Sequence, residues 1–590
     1  MGFLSLQLRI SGHKTAFSLL SILIIFSNLI TACSTDSVLR PSPVANTPPL
    51  TATTPPLPPS TNTPQPSPVP TATTEPRLIF LAESLPDQVQ EQITLPPDMS
   101  YSESADRSTL RLGINQGQLL GYWTYALVAP FPSLLEGFGA EELISIWQHG
   151  SEDWSSLLPI MVSPDTYRVF SVYWGKPSSA SVQVFNADDQ KGTLLDQLWP
   201  DGNSLAIVPF PELTPYWKVL SVGGQKPTRN SYSPSNAVLS VPLTLEGSGE
   251  LREEFFFLNH DLTNRRSDQL TTLALTGVTA MVRATAWTME QEGVTYPARD
   301  IKPIFDAVDL VHISNEVPFA EDCPRPSPEQ IGLYFCSDDR YIELLEYIST
   351  DIVELSGDHF GDWGSEAMLH TLELYQKRGW PTYGGGKNLQ DGLQPAFLEH
   401  NGNRLAFIGC NAKGGKYAPA TATEPGASYC NYSWMEDEIS RLSADGYTVI
   451  VTLQHDEYYR FRANYVQERD FRRLAEAGAV IVSGSQAHQP QTMEFWQNTF
   501  IHYGLGNLFF DQYRVAQQVK KFQHTDQAFI DVHVIYQGQH ISTELHTIEF
   551  IDYARSRPMS SLDRKELLQA VFSPQDWKYP SAPQNKDKVQ

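Results

Sequence analysis

The stretch Asp351-Ile352-Val353-Glu354-Leu355-Ser356-Gly357-Asp358-His359 decides the fold class. Its first half, Asp351 to Leu355, is a short apolar run of strand type, and Ser356 to His359 is a polar turn. Ser365 to Arg378 follows as a helix, with Met368, Leu372 and Tyr375 on one face and Gly379 placed as its C-cap. The same strand–turn–helix unit recurs on both sides. Leu270 to Thr276 is a strand ending at Gly277, and Asp309 to Ile313 runs into Ser314-Asn315-Glu316. Leu405 to Gly409 is a further strand, and Tyr447 to Leu453 runs apolar into His455. Phe471, Leu474 and Ala475 mark a helix ending at Gly478, and Ala479 to Val482 leads into Ser483-Gly484. Strands alternating with helices predict an α/β sheet with buried strands.

Polar side chains recur just past these strands: Asn315 and Glu316, Asp358 and His359, His455 and Glu457, then Gln486 and His488. Open α/β sheets build their sites from the loops at the carboxyl ends of strands. Carboxylates and imidazoles gathered there suit a divalent metal, which would lower the pKa of bound water and stabilise charge on a phosphoryl or similar centre. Taken singly, each has a plainer reading. A lone His is usually a hydrogen-bonded structural residue, and Asp358 suits a turn cap. Four such groups at successive strand ends favour one shared site.

From Arg77 to about Leu262 strands mix with short helices, again predicting an α/β domain. Thr109 to Gly113, Trp123 to Pro130 and Ser204 to Pro209 read as strands; Glu141 to His149 and Thr193 to Trp199 read as helices. Trp123, Trp147, Trp174 and Trp217 read as core rather than as a ligand cage. The region is faintly similar to one lobe of a periplasmic solute-binding protein.

At the N-terminus, Arg9 and Lys14 precede the mostly apolar run Ala16 to Ile30, which ends in Leu29-Ile30-Thr31-Ala32-Cys33. Small residues before a Cys mark a processing site, so residues 1–33 are set aside from the fold. The arrangement resembles a bacterial lipobox, in which Cys33 becomes the lipidated first residue; the alternative is a transmembrane anchor with an incidental Cys. Either reading puts the remainder outside the cytoplasm. Residues 34–76, dominated by Pro and Thr from Pro41 to Pro76, form an extended linker with a reach on the order of 100 Å. Setting Cys33 aside leaves Cys323, Cys336, Cys410 and Cys430. The simplest pairing is Cys323–Cys336 and Cys410–Cys430, although four Cys allow three connectivities. The segments are then 1–33 signal peptide, 34–76 linker, 77–265 N-terminal α/β domain, 266–552 second domain and 553–590 a C-terminal tail, which ends in a polar, Pro- and Lys-containing stretch expected to be poorly ordered.

The 590 residues, 41% apolar and 18% charged, suit a folded chain of two or more domains. A formal net charge of −25 argues against a general nucleic-acid binder. A candidate local basic patch is Arg460, Arg462, Arg469, Arg472 and Arg473, with a solvated helix face as the stronger alternative.

Residues from about 270 to 515 resemble the CapA-type poly-gamma-glutamate capsule synthesis family, which has a calcineurin-like metallophosphoesterase fold. Ser314-Asn315-Glu316 matches its Asn-Leu-Glu segment, and Gly357-Asp358-His359-Phe360-Gly361-Asp362-Trp363-Gly364 its Asn-His-x-x-Asp-x-Gly block. Tyr383-Gly384-Gly385-Gly386 matches the Gly-rich turn, Gln454-His455-Asp456-Glu457-Tyr458 the His-x-Gly-x-Glu-Tyr block, and Gly484-Ser485-Gln486-Ala487-His488 the Gly-x-His-Pro-His block. The segment from His502 to Asp511, with Asn507, matches the closing Tyr-Ser-Leu-Gly-Asn-Phe segment. Two departures stand out. Gly277-Val278-Thr279 lacks the family's leading Asp, and Gln486 replaces the first His of its block. The resemblance implies an α/β sandwich of calcineurin-like type, preceded by the separate α/β domain. It implies one divalent metal ion held by Glu316, Asp358, His455 and His488, with Gln486 a weak ligand, or no metal at all. His359 and His455 are the candidate proton-transfer residues, and Asn315, Asp362, Glu457 and Asn507 complete the site. The implied role is a lipid-anchored cell-membrane protein, facing outside the cytoplasm, that assembles, transports or anchors an anionic polymer or touches cell-envelope components and binds no nucleic acid. The alternatives are a single-metal phosphoesterase-like hydrolase and a non-catalytic binding protein with a degenerate metal site.

Overall fold

Alternation along the strands sets the layers of the second half of the chain. In Leu270–Thr276, Leu273 and Leu275 point into one core while Ala274 points into another. In Asn403–Asn411, Leu405 and Phe407 join that same first core, and Ala406 and Ile408 face the opposite way. Successive side chains of a strand leave opposite faces, so each sheet is buried on both sides. Two sheets result, and their facing side chains share one core. The nine-stranded sheet runs Thr382–Tyr383, Ile352–Glu354, Leu310–Asn315, Leu270–Thr276, Gln527–Tyr536, Gln539–Ile551 and Arg555–Pro558, with Val278–Thr279 and Asn507–Phe509 attached. The six-stranded sheet runs Ala396–His400, Asn403–Asn411, Thr448–Gln454, Ile481–Gly484, Thr499–His502 and Met493–Trp496.

Helices cover the outer faces. Met368, Leu372 and Tyr375 of Gly364–Arg378 pack with Val311, Ile313 and Val353 of the larger sheet. Phe471, Leu474 and Ala475 of Tyr465–Glu476, with Met435, Ile439 and Leu442 of Tyr432–Ala444, cover Val449, Val451 and Val482 of the smaller. Each such Leu, Ile or Phe removed from water contributes about 1.5–3 kcal/mol. Gly379 closes its helix in the left-handed region at φ 73°, as its place after Arg378 predicts. The α/β class and the sandwich are therefore as the sequence leads one to expect.

The computed structural model describes residues 77–573 except 115, 151–158, 186–192, 200–203, 415 and 513–522. The expected signal peptide, Cys33, the linker and the chain beyond 573 lie outside the described residues. Residues 78–263 build a ten-stranded mixed sheet of their own. Its long strand Gln118–Pro130 sends Trp123, Tyr125 and Leu127 into the core of that sheet, and Ala126 and Val128 into the core shared with the sandwich. Trp123, Trp147, Trp174 and Trp217 are all buried core residues, as read from the sequence.

Residues 555–572, assigned from the sequence to a tail, belong with the sandwich; the polar end of the tail lies outside the described residues. Arg555–Pro558 pairs antiparallel with Gln539–Ile551, and Ser561–Phe572 is a helix capped by the Ser560 hydroxyl. Leu567, Leu568, Val571 and Phe572 stand at helical spacing and bury one face in the shared core. Both predicted disulfides are present, Cys323–Cys336 and Cys410–Cys430.

Candidate functional site

A cleft of about 680 Å³ opens at the carboxyl ends of strands from both sheets. Leu310–Asn315 delivers Glu316 and Ile352–Glu354 delivers Asp358 and His359. Asn403–Asn411 delivers Lys413, Thr448–Gln454 delivers Glu457, and Ile481–Gly484 delivers His488. Gly357 lets two of these turns meet. A Cβ there would stand 2.5 Å from the Glu316 carbonyl oxygen, so only glycine brings Asp358 alongside Glu316. The Asp358 backbone N–H donates to Gln454 Oε1 at 3.1 Å, fixing the turn to the neighbouring sheet.

Glu316, Asp358 and His359 each offer a ligand atom within 4.8 Å of the others. Burial, with Asp358 adding to it, pushes the Glu316 carboxyl up to about 8, so at neutral pH it is largely protonated. Burial would raise Asp358 too, but His359 and Lys413 outweigh it and hold the group below the usual carboxylate range. Lys413 Nζ lies 2.6 Å from Asp358 and 2.6 Å from Glu457, bridging the two. His359 Nδ1 donates to Asp362 at 2.6 Å. Burial opposes the charged ring, but Asp362, Glu316 and Asp358 raise it to about 9, so His359 is an imidazolium at neutral pH. Asp362 also accepts from the Phe335 backbone N–H at 2.9 Å, which fixes its carboxylate under the ring.

His488 is buried and held neutral by that burial. Asn507 donates its amide N–H to the His488 carbonyl and to Thr525, so its Oδ1 faces His488 Nδ1 at 2.9 Å as acceptor. The proton therefore sits on Nδ1. The free lone pair on Nε2 accepts from Gln486 Nε2 at 3.1 Å, which also donates to Glu316 at 3.3 Å. Tyr459 stacks near the His488 ring and donates its hydroxyl to Glu457 at 2.8 Å.

Not every residue named from the sequence reaches this cluster. His455 is buried, donates to Asp470 at 3.1 Å, and is absent from the cleft lining; Tyr432 holds the same Asp470 at 2.9 Å. Asn315 is buried and closes its own turn by donating to the Val317 carbonyl at 2.7 Å, also away from the cleft lining. Val278 fills an apolar plug with Ala280, Val282, Val317, Phe335 and Phe510, where a metal-binding carboxylate would have no place. Three of the five arginines between 460 and 473 are held by carboxylates. Arg472 is bidentate on Glu494, Arg469 pairs with Asp470, and Arg473 pairs with Glu436. Lys413, Lys416, Arg283 and Tyr459 line the cleft and were not expected from the sequence. Lys413 had a signal: it follows the strand beginning at Leu405 just as the other polar residues follow theirs. Arg283, which lies over the Phe335 and Phe510 rings, had none.

The donors fit a hard divalent cation. Glu316 and Asp358 share one side-chain hydrogen bond, and Gln486 Oε1 is a buried acceptor with no partner among the described residues. Oxygen ligands of this kind, with one imidazole, suit magnesium, manganese or a similar ion. Glu316, Asp358 and His359 would hold it, and Glu316 and His359 would each give up a proton to do so.

Fold and site together define an α/β sandwich protein with a metal-capable, mixed-charge cleft at the ends of its strands. Residues 272–512 match the family model described as "Bacterial capsule synthesis protein PGA_cap", so that segment is similar to the CapA-type family. It is 23% identical over 252 residues to "Capsule biosynthesis protein CapA" of Bacillus anthracis, covering 42% of this chain and 61% of that protein. It is 25% identical over 249 residues to "PGA biosynthesis protein CapA" of Bacillus subtilis (strain 168), covering 42% of this chain and 65% of that one. Among solved structures, a 5'-nucleotidase precursor from Thermus thermophilus aligns over 52% of this chain and 59% of its own, at 13% identity and TM-score 0.32. An ABC-type phosphate transport receptor from Vibrio cholerae aligns over 31% of this chain and 92% of its own, at 11% identity and TM-score 0.23.

Proposed function

We propose that the chain is an extracytoplasmic, lipid-anchored protein of capsule biosynthesis whose cleft engages an anionic polymer of the poly-gamma-glutamate type. The family match supports the capsule role, and the two disulfides fit an oxidising compartment. The observation that carries the polymer reading is the charge of the cleft. Arg283, His359, Lys413 and Lys416 line it against Asp358, Asp362 and Glu457, with Glu316 largely protonated, so cations exceed anions by one. In a chain of net charge −25, such a cleft is where a polyanion is steered. Lys416 is exposed on its rim, and Tyr334 and Tyr417 give the rim amphipathic walls. The test is fluorescence anisotropy of labelled poly-gamma-glutamate with the full chain at low salt. Lys416→Glu should weaken binding about tenfold, or about 1.4 kcal/mol, and added salt should weaken it further. Affinity indifferent to Lys416→Glu would place the polymer elsewhere and sink this reading.

The donor set Glu316, Asp358 and His359 favours a second reading, a single-metal phosphoesterase-like hydrolase. A bound divalent ion would supply Lewis acidity and a more acidic water. The chain itself fixes the His359 ring by the Nδ1–Asp362 hydrogen bond, so that Nε2 is the atom it would present to the ion. Turnover of a phosphoester panel that is lost in Asp362→Asn supports it; no turnover with saturating metal ends it.

A further inference from the structure

Lys413 differs in kind from the other side chains at the bottom of the cleft. Glu316, Asp358, Glu457 and Gln486 bring oxygen atoms and His488 a neutral ring nitrogen, whereas Lys413 brings a cation on a flexible stem. Its ammonium sits 2.6 Å from Asp358 Oδ2 and 2.6 Å from Glu457 Oε1. On the other side of the same carboxylate, Asp358 meets the Glu316 carboxyl in a side-chain hydrogen bond, and neither Asp358 Oδ1 nor Glu316 Oε2 has a further donor; both side chains are 1% exposed. Two buried carboxyl groups brought together beside an imidazole, with their ligand atoms within 4.8 Å of one another, are also placed to hold a divalent cation between them. Asp358 thus meets the ammonium with one oxygen and the Glu316 carboxyl with the other, the side on which a divalent cation would bind. Two positive charges on opposite oxygens of one carboxylate repel across a few ångströms in a medium poorer than water.

The loop that carries Lys413 is built to deliver it. Cys410–Cys430 ties the loop at its base, and the Lys413 backbone N–H donates to Asn411 Oδ1 at 2.9 Å. Glu457 and the Tyr417 ring, 5.1 Å from Nζ, offer the ammonium places to stay when it leaves Asp358.

We infer that Lys413 is a resident counter-ion that competes with a divalent cation for Asp358, so that loading the Glu316–Asp358–His359 site requires the ammonium to withdraw from it. The cleft then has two forms, one closed by lysine and one opened to metal, and Lys413 sets the metal concentration at which they exchange. Lys413 is a positioning residue in this scheme; it touches no reacting atom.

The experiment titrates the full chain with manganese chloride by calorimetry. Lys413→Met, which keeps the stem and removes the charge, should bind manganese about tenfold more tightly than the parent. Lys413→Arg should bind it no more tightly than the parent, and Lys413→Met combined with Glu316→Gln should lose the gain. A Lys413→Met chain that binds manganese no more tightly than the parent overturns the inference. Because that substitution removes charge from a buried site, a second measurement uses the unaltered chain. Lysine acetylation by acetic anhydride is followed by mass spectrometry, with Lys416 as the internal reference. Saturating manganese should speed modification of Lys413 several-fold relative to Lys416. A Lys413 rate that stays level or falls also overturns it.

Discussion

At the residue scale, His359 and His455 follow strand ends of the same kind and end in opposite situations. His359 lines the cleft and is held charged by Asp362, while His455 is sealed against Asp470 with side chains 4% exposed on both partners. Deleting the His455 ring leaves a buried carboxylate short of one donor, a loss of about 1–3 kcal/mol. His455→Ala should therefore lower the unfolding free energy from urea titration by about 1–3 kcal/mol and leave manganese affinity within about twofold. A tenfold loss of manganese affinity would put His455 back in the metal site. Two further histidines set the response to acid. Burial lowers His312 to about 3 and His540 to about 4. Their folded values lie below the unfolded one, so the stability they allow is present above about pH 6.5 and is lost as pH falls through the folded values. Each should contribute a slope of about 1.4 kcal/mol per pH unit in that window. Urea midpoints taken stepwise on acidification should fall, and His312→Gln should remove one group's share of the slope; an unchanged slope would show that His312 charges without cost.

At the scale of elements, the disulfides bound the two loops that wall the cleft. Leu333, Tyr334 and Phe335 come from the loop closed by Cys323–Cys336, and Lys413, Lys416 and Tyr417 from the loop closed by Cys410–Cys430. The second bridge spans 20 residues, which the chain-entropy account values at about 3 kcal/mol. Cys410→Ser with Cys430→Ser should lose about that much stability. It should also raise amide exchange across 411–429 while Thr448–Gln454, inside the sheet, stays protected; equal exchange in both would mean the bridge supports the whole sheet. Strands and helices of the sandwich were legible because their apolar spacing is local: Leu270–Thr276 has the bounds read from the sequence, and Gly379 caps its helix. The strand-end rule found Glu316, Asp358, His359, Glu457 and His488 for the same reason. It could not separate His455 from the cleft, because the pairing with Asp470 depends on how the helix Tyr465–Glu476 docks. The ordered segment after 553 was missed because four buried residues in a polar tail show their worth only against a core supplied by distant strands.

At the scale of the molecule, the first sheet and the sandwich share one packed boundary. Phe131, at the end of the long strand of the first sheet, meets Phe495 at 5.2 Å, Phe500 at 5.4 Å and Phe572 at 6.3 Å between ring centroids. Phe210 meets Tyr536 edge-on at 5.0 Å, and Lys226 and Arg229 both reach Glu544 on the strand Gln539–Ile551. Rings at these distances pack as protein cores do, and edge-to-face pairs add to the area they bury. A boundary of this sort couples the two parts in folding, since neither can expose it without losing apolar contacts on both sides. Calorimetry of the full chain should give one cooperative transition for both sheets. Phe131→Ala should lower stability by about 3–5 kcal/mol, and because the lost ring touches both the smaller sheet and the C-terminal helix, the whole transition should shift. Two resolved transitions in the unaltered chain, with only the lower one moved by Phe131→Ala, would instead mean that residues 78–263 fold apart from the cleft and that the boundary is a docking contact. The distinction bears on the site directly: Phe131 packs against Met493–Trp496 and Thr499–His502, and Thr499–His502 pairs with the strand Ile481–Gly484 that leads to Gln486 and His488. In a single cooperative unit, loosening Phe131 should also weaken manganese binding in the cleft.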